Sequence, residues 1–163
     1  MNQTTLIEVL MYQIGQYFLL PVLALVFLLF AYALYVLGAF LVQSLQRRKA
    51  GGTKGFPLMA YAASHPGSNE DELDLYAHKL LEPERIASRI APMLGLVGTM
   101  IPMGPALKSL SDGNLAEVSG NLTVAFSAVI LALIAASITY GVSNIRRRWL
   151  AEELVQVQKQ GAR

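Results

Sequence analysis

The sequence predicts an all-α integral membrane protein with three transmembrane helices, a short N-terminal interfacial helix and cytoplasmic helical extensions. Of its 163 residues, 54% are hydrophobic and only 15% are charged, which is too apolar for an ordinary soluble domain with one core. Three uncharged stretches approach or exceed the roughly 20 apolar residues that a membrane span requires. The basic residues are concentrated in two of the segments outside these stretches.

The N-terminal part of the chain is predicted to hold two helical elements. Residues 1–17 are weakly amphipathic and favour an interfacial helix on the outer leaflet. Its apolar face would be formed by Leu6, Val9, Leu10 and Ile14. Residues 18–45 are predicted as the first transmembrane helix. Because no Lys or Arg precedes Arg47, the segment lacks the basic start of a cleavable signal, and we expect it to be retained.

Residues 46–85 are predicted to form a cytoplasmic loop that ends in a short helix. The loop opens with glycines and lysines typical of a linker. From Glu70 to Arg85, apolar residues recur at helical spacing and indicate an amphipathic helix. We expect Pro83 to break or kink this helix, because proline lacks the backbone N–H.

Residues 86–146 are predicted to form a core that contains transmembrane helices two and three. The second span runs from Ile90 to Leu107, and the third runs from about Asn121 to Ile145. Residues 147–163 contain no Gly or Pro before Gly161. We therefore expect the third span to continue as a cytoplasmic C-terminal helix.

The distribution of basic residues predicts the orientation in the membrane. Of the 13 Lys and Arg residues, only Lys108 lies between the second and third spans, and the other 12 lie in the first loop or the C-terminal tail. Basic loops stay on the cytoplasmic side. The prediction is a multi-pass protein of the inner (cytoplasmic) cell membrane, with its N-terminus outside and its C-terminus in the cytoplasm.

Small residues define one face of the second span. The face consists of Pro92, Gly95, Thr99, Pro102 and Ala106. The further residues that we expect to pack or kink the helix are Gly98, Gly104 and Pro105. Small residues let neighbouring helices approach closely, and prolines free backbone carbonyls. Thr99 carries the only hydroxyl of the span, and the ordinary structural prediction is that this hydroxyl bonds the carbonyl of Gly95, four residues earlier.

The third span has a polar face and an alanine stripe. Thr123 and Ser127 begin the polar face. The stripe consists of Ala125, Ala128, Ala132, Ala135 and Thr139. Taken singly, each hydroxyl fits ordinary helix packing. Together, two small-and-hydroxyl faces without an ionisable residue favour a protein that lines a polar path but cannot hold a proton itself.

Catalytic and metal chemistry find no support in the sequence. The chain has no cysteine, which excludes disulfides and thiolate ligands. His65 and His78 have no second ligand at metal spacing, so we interpret them as solvated loop residues. No nucleophile elbow, phosphate-binding loop or paired intramembrane carboxylate is present. We expect no enzyme activity, no cofactor and no metal site.

The second and third spans resemble the MotA/TolQ/ExbB proton-channel family, in particular its small TolQ/ExbB branch. Pro92, Gly95, Leu96, Gly98 and Thr99 match the family's Pro-x-x-Gly-Leu-x-Gly-Thr motif. The resemblance covers residues 88–146. At the family's second motif, Ala-Leu-x-x-Thr, this chain has Ala125 and Phe126, but Val129 replaces the second threonine and the preceding Ala128 offers no hydroxyl.

The resemblance implies a homo-oligomer, a ring of five subunits, around two single-span helices of a partner similar to MotB, TolR or ExbD. That partner carries the ion-binding Asp, and ring hydroxyls such as Thr99 line the ion path. Ser127 and Thr123 would substitute for the missing threonine. The first hypothesis is thus the ring subunit of a proton- or sodium-driven motor complex, of the kind used in ion and protein transport or as a motor stator. The alternative is a non-conducting oligomeric scaffold. Both imply contact with membrane lipid and none with nucleic acid.

Overall fold

The computed structural model describes residues 3–49, 55–65, 67 and 69–161. Every regular element in these residues is a helix: α1 (Gln3–Lys49), α2 (Pro57–Ser64), α3 (Glu70–Ser111) and α4 (Leu115–Gly161). Three of them, α1, α3 and α4, are long and apolar enough to cross a membrane. The all-α fold class with three spans is confirmed.

The structure does not divide α1 where the sequence suggested. Residues 3–49 form one continuous helix, so the predicted interfacial helix and first span are joined. Pro21 lies inside α1 and removes one backbone N–H without ending the helix. A spanning helix tolerates such a proline when neighbouring helices or local adjustments satisfy the freed backbone carbonyl.

The expected break at Pro83 is also absent. α3 continues as one helix from Glu70 through Pro83 to Ser111, so the short amphipathic helix and the second span are a single element. In contrast, α2 lies in the stretch that the sequence assigned to a loop. Pro57 occupies its first turn, where a missing N–H costs nothing because that group would have no partner within the helix.

The connection between α3 and α4 is a tight turn. The Asn114 N–H donates to the Ser109 carbonyl at 2.9 Å, and the Gly113 N–H donates to the Leu110 carbonyl at 3.1 Å. These two bonds, with Gly113 at a φ of 77°, form a Schellman motif that ends α3. The Asn114 side chain then accepts the Glu117 N–H and caps the start of α4.

The chain divides into two units. The first unit comprises residues up to 32 together with 89–136, and small residues form most of its core. A Cβ added at Gly95 would lie 2.7 Å from the Ala132 Cβ, and one added at Gly98 would lie 3.1 Å from the Ala128 Cβ. The predicted alanine stripe of α4 therefore packs on the glycine face of α3. Close backbone approach of this kind supplies the packing that holds helices together in lipid.

The second unit comprises residues 33–88 and 137–163. Its apolar cluster centres on four buried residues, Leu58, Leu73, Ala77 and Leu150. The rings of Tyr61 in α2 and Tyr76 in α3 stack on each other, with centroids 4.1 Å apart. In this way α2 is fixed by contacts to α3 and α4.

Gly95→Ala tests the close approach of α3 and α4. The new methyl would clash with Ala132, so the helices must separate, and we expect the free energy of unfolding to fall by about 1–3 kcal/mol. Thermal unfolding in detergent measures this loss. The control is Gly120→Ala, because nothing lies within 4 Å of a Cβ at Gly120 and both variants share the same gain in helix propensity.

Ala132→Gly should restore the stability of the Gly95→Ala variant, since it removes the opposing methyl. Equal melting temperatures for Gly95→Ala and Gly120→Ala would contradict the packing described here.

Candidate functional site

Thr99 lies at the edge of the contact between α3 and α4. It follows Gly98 directly and comes one turn after Gly95, the two glycines that meet α4. The side chain is partly exposed, and its hydroxyl donates to the Leu96 carbonyl at 2.7 Å. The prediction that Gly95 supplies the acceptor is wrong, because the hydroxyl reaches the carbonyl three residues back. The Thr99 oxygen keeps lone pairs that can accept a proton donor or contact a cation.

Val129 faces α3 beside Gly95. Its Cα would lie 3.5 Å, and its Cγ2 3.6 Å, from a Cβ placed on Gly95, and the residue is half-buried. The position at which the sequence motif has a second threonine therefore belongs to the packed surface between α3 and α4. In this chain that position offers two methyl groups and no hydroxyl.

Thr123 and Ser127 form a hydroxyl ladder on an exposed face of α4. The Thr123 hydroxyl donates to the Ser119 carbonyl, and the Ser127 hydroxyl donates to the Thr123 carbonyl, each at 2.8 Å. Ser127 precedes Val129 by two residues, which places it about 200° away around the helix. Among the described residues, the Ser127 hydroxyl bonds Thr123, whereas the Thr99 hydroxyl bonds Leu96 in its own helix.

Four prolines interrupt the hydrogen bonding of α3, and three of them were predicted to shape the second span. Pro102 is buried, whereas Pro92 and Pro105 are half-buried. A proline removes the donor for the carbonyl four residues earlier. Pro105 thus leaves the Ile101 carbonyl without its helical partner, and the side-chain amide of Gln16 in α1 donates to that oxygen at 3.3 Å.

Tyr12, one turn before Gln16, also contacts this part of α3. A Cβ added at Gly104 would lie 3.3 Å from the Tyr12 ring, so the glycine allows the ring to approach. Sequence reasoning missed both contacts, because residues 1–17 were expected to lie in the membrane interface. The available signal was Pro105 itself, whose presence requires a donor for a carbonyl within a span.

Arg47 organises the charged part of the second unit. Its guanidinium pairs with the buried carboxylate of Glu153, and its Nε donates to the Gly55 carbonyl at 2.8 Å. The guanidinium carbon also lies 4.5 Å from the Phe56 ring centroid and 4.4 Å from that of Trp149. Such stacking suits the planar, weakly hydrated guanidinium group. One arginine thereby links α1, the segment before α2, and α4.

Glu153 has a second role at the start of α2. Its Oε2 accepts the Leu58 N–H at 2.9 Å, so a carboxylate from α4 caps a helix that has no side-chain cap of its own. A negative charge at a helix N-terminus is favourable because unpaired N–H groups point toward it. Glu153 therefore couples the position of α2 to the Arg47 ion pair.

A second buried ion pair joins α3 to α4. Glu84, only 2% exposed, pairs with Arg146. A cavity of about 220 Å³ lies beside both pairs and is lined by Gln43, Arg47, Pro57, Leu80, Leu81, Arg146, Trp149 and Leu150. Sequence reasoning used Arg47 and Arg146 only to orient the chain and did not predict either buried ion pair.

The two histidines contact groups that lie close to them in the sequence. His78 bonds the Asp74 carbonyl in its own helix at 3.0 Å, and the His65 ring stacks on Tyr61. In the part of the chain that the structure describes, no group of three or more His, Cys, Asp or Glu residues could hold a metal ion.

Three spanning helices, with a close contact between α3 and α4, define a small multi-pass membrane protein. The model of the MotA/TolQ/ExbB proton channel family matches residues 74–159, which is more than half of the chain. No curated protein and no solved structure matches the sequence. The chain belongs to the MotA/TolQ/ExbB proton channel family, and the resemblance seen in the Thr99 motif is confirmed.

Glu153→Gln tests the Arg47 ion pair. The amide can still accept the Leu58 N–H, but Arg47 would lose its buried ion-pair partner. We expect a loss of about 3 kcal/mol in the free energy of unfolding, measured by chemical unfolding in detergent. Asp74→Asn is the control, because Asp74 lies 3.5 Å from His78 with both side chains exposed, and an exposed pair of this kind should contribute at most about 1 kcal/mol. Equal effects of the two substitutions would rule out a structural role for the buried charge.

Proposed function

We propose that this protein is the ring subunit of an ion-driven membrane motor complex, and that Thr99 lines the ion path around a partner that carries the ion-binding Asp. Family membership supports a role in proton conduction. The observation that carries the specific assignment is the placement of Thr99, which is partly exposed at the edge of the α3–α4 contact. The predicted spans at residues 18–45, 90–107 and 121–145 contain no Asp, Glu, His, Lys or Arg, so we propose that the ion-binding group comes from another chain.

In this mechanism the hydroxyls assist an ion without holding it. The Thr99 proton is engaged by the Leu96 carbonyl, which leaves the oxygen lone pairs for a proton donor or a cation. The partner's Asp would bind and release the ion beside that oxygen. The membrane potential supplies about 2.3 kcal/mol per charge for each 100 mV, and this energy would drive movement of the ring relative to the partner.

Thr123 and Ser127 fit a path that is shared between copies of the chain. Their hydroxyls are exposed on α4, on the side away from Val129 and the packed face. In a ring, we propose that this face lies against a neighbouring subunit, where the hydroxyls can supplement Thr99. The family relationship favours a homopentamer around two single-span helices similar to MotB, TolR or ExbD.

For location, we propose the inner membrane, with the N-terminus outside and the C-terminal part of α4 in the cytoplasm. The distribution of Lys and Arg supports this orientation. The ion pairs of Arg47 and Arg146 would then lie on the cytoplasmic side.

A non-conducting oligomeric scaffold is the second candidate. It is favoured by Val129, which replaces a hydroxyl with an apolar contact against Gly95, and by the neighbouring Ala128, which is buried. A scaffold would act independently of the membrane potential. Activity that survives an uncoupler would therefore select the scaffold, whereas loss of activity would select the motor.

Native mass spectrometry of the protein co-purified with its membrane partner tests the assembly. A five-subunit ring bound to two copies of a single-span protein with an intramembrane Asp supports the motor. An assembly with no such partner overturns it and leaves the scaffold.

Thr99→Ala and Thr99→Val should lower ion flux in proteoliposomes that contain the complex. Loss of one oxygen ligand corresponds to about a tenfold decrease if the contact contributes about 1.4 kcal/mol. The control is Ser111→Ala, since the Ser111 hydroxyl also bonds a carbonyl three residues back in α3 but lies at the end of the helix. Unchanged flux in both Thr99 variants would remove Thr99 from the mechanism.

Val129→Thr should raise the flux, because it adds a hydroxyl beside Gly95 in a side chain of nearly the same shape. The new hydroxyl can bond the carbonyl four residues earlier and so avoids an unpaired polar group. Flux is compared at equal amounts of assembled complex. A scaffold predicts no flux before or after this substitution.

A further inference from the structure

Two backbone carbonyls in the turn of α3 that contains Thr99 lack their helical N–H donors. Pro102 removes the N–H that would serve the Gly98 carbonyl, and Pro105 removes the one for Ile101. Thr99 lies between these two carbonyls. A helix that loses donors in consecutive turns is free to bend or unwind there unless other groups replace them.

Gln16 replaces one of these donors from a different helix. Its side-chain amide lies 3.3 Å from the Ile101 oxygen, in a partly buried position 85 residues away in sequence. An amide can reach this carbonyl only while α1 stays close to α3. The approach of Tyr12 to Gly104 fixes the same part of α1 one turn earlier. Val22 adds a third contact, because its Cγ1 would lie 3.8 Å from a Cβ on Gly98.

We propose that Gln16 is a positioning residue for Thr99: its amide substitutes for the N–H that Pro105 lacks and holds the turn between Gly98 and Ile101 in the orientation seen here. α1 is then a support for the candidate ion path as well as a membrane anchor. The effect on conduction depends on the proposed function, whereas the effect on the orientation of Thr99 does not.

The absence of cysteine from the chain provides a direct readout. Thr99→Cys introduces the only thiol, and its rate of reaction with a small membrane-impermeant thiol reagent reports the accessibility of position 99. The full chain is labelled in proteoliposomes, first alone and then with Gln16→Leu, which keeps the bulk of the side chain but removes the donor. We expect labelling to become about fivefold faster, the equivalent of about 1 kcal/mol for one hydrogen bond.

Two further variants separate positioning from general destabilisation. Gln13→Leu makes the same change on an exposed part of α1 and should leave labelling unchanged. Pro105→Ala restores the backbone N–H for Ile101, so Gln16→Leu should have no effect on labelling in that background. This double-mutant cycle isolates the Gln16–Ile101 interaction. If Gln16→Leu does not assemble, Gln16→Asn takes its place, because its shorter side chain keeps the amide but cannot reach Ile101.

Equal labelling of the parent and the Gln16 variant would overturn the proposal, as would a labelling change of the same size in the Pro105→Ala background. Ion flux, measured on the same variants, distinguishes a failure of this proposal from a failure of the proposed function. Altered labelling together with unaltered flux would keep Gln16 as a positioning residue and reject Thr99 as part of the ion path.

Discussion

The close approach of α3 and α4 at Gly95 and Gly98 is the constraint on which the first unit depends. A methyl group at Gly95 would overlap Ala132, so the spacing of the two backbones is set by the absence of side chains. In lipid, where apolar side chains gain little by leaving their surroundings, close packing of this kind provides much of the attraction between helices. The same contact fixes which residues remain at its edge, and Thr99 is one of them.

The same contact determines the surroundings of Val129. Val129 occupies a position that is partly enclosed by α3, and there two methyl groups pack well while adding no polar atom. The hydroxyls of Thr123 and Ser127 lie on the other side of α4. The packed face and the hydroxyl face of α4 are therefore separate surfaces.

The second unit is stabilised by a different kind of interaction. Burying a charge is costly, and a buried ion pair is tolerated only when geometry and further hydrogen bonds compensate for the lost water. Arg47 satisfies this condition through Glu153, the Gly55 carbonyl and two aromatic rings. Glu153 adds the Leu58 N–H, so α2 is held in place by the group that neutralises Arg47. The first unit is thus stabilised by close helix packing, and the second by ion pairs whose burial is compensated by further contacts.

Sequence patterns alone predicted the all-α class, the three spans, an alanine stripe suited to helix packing and the helical continuation after Arg146, and the motif around Thr99 pointed to the family. These features depend on composition, periodicity and local spacing, which are properties of residues close together in the sequence. Only the folded structure shows that Gln16 donates to the Ile101 carbonyl and that α2 forms and is capped by Glu153. It also shows that the ion pairs of Arg47 and Glu84 are largely buried. Each of these depends on partners far apart in sequence, 85 residues for Gln16 and 95 for Leu58 with Glu153. Only the folded arrangement of the helices brings such donors and acceptors within hydrogen-bonding distance.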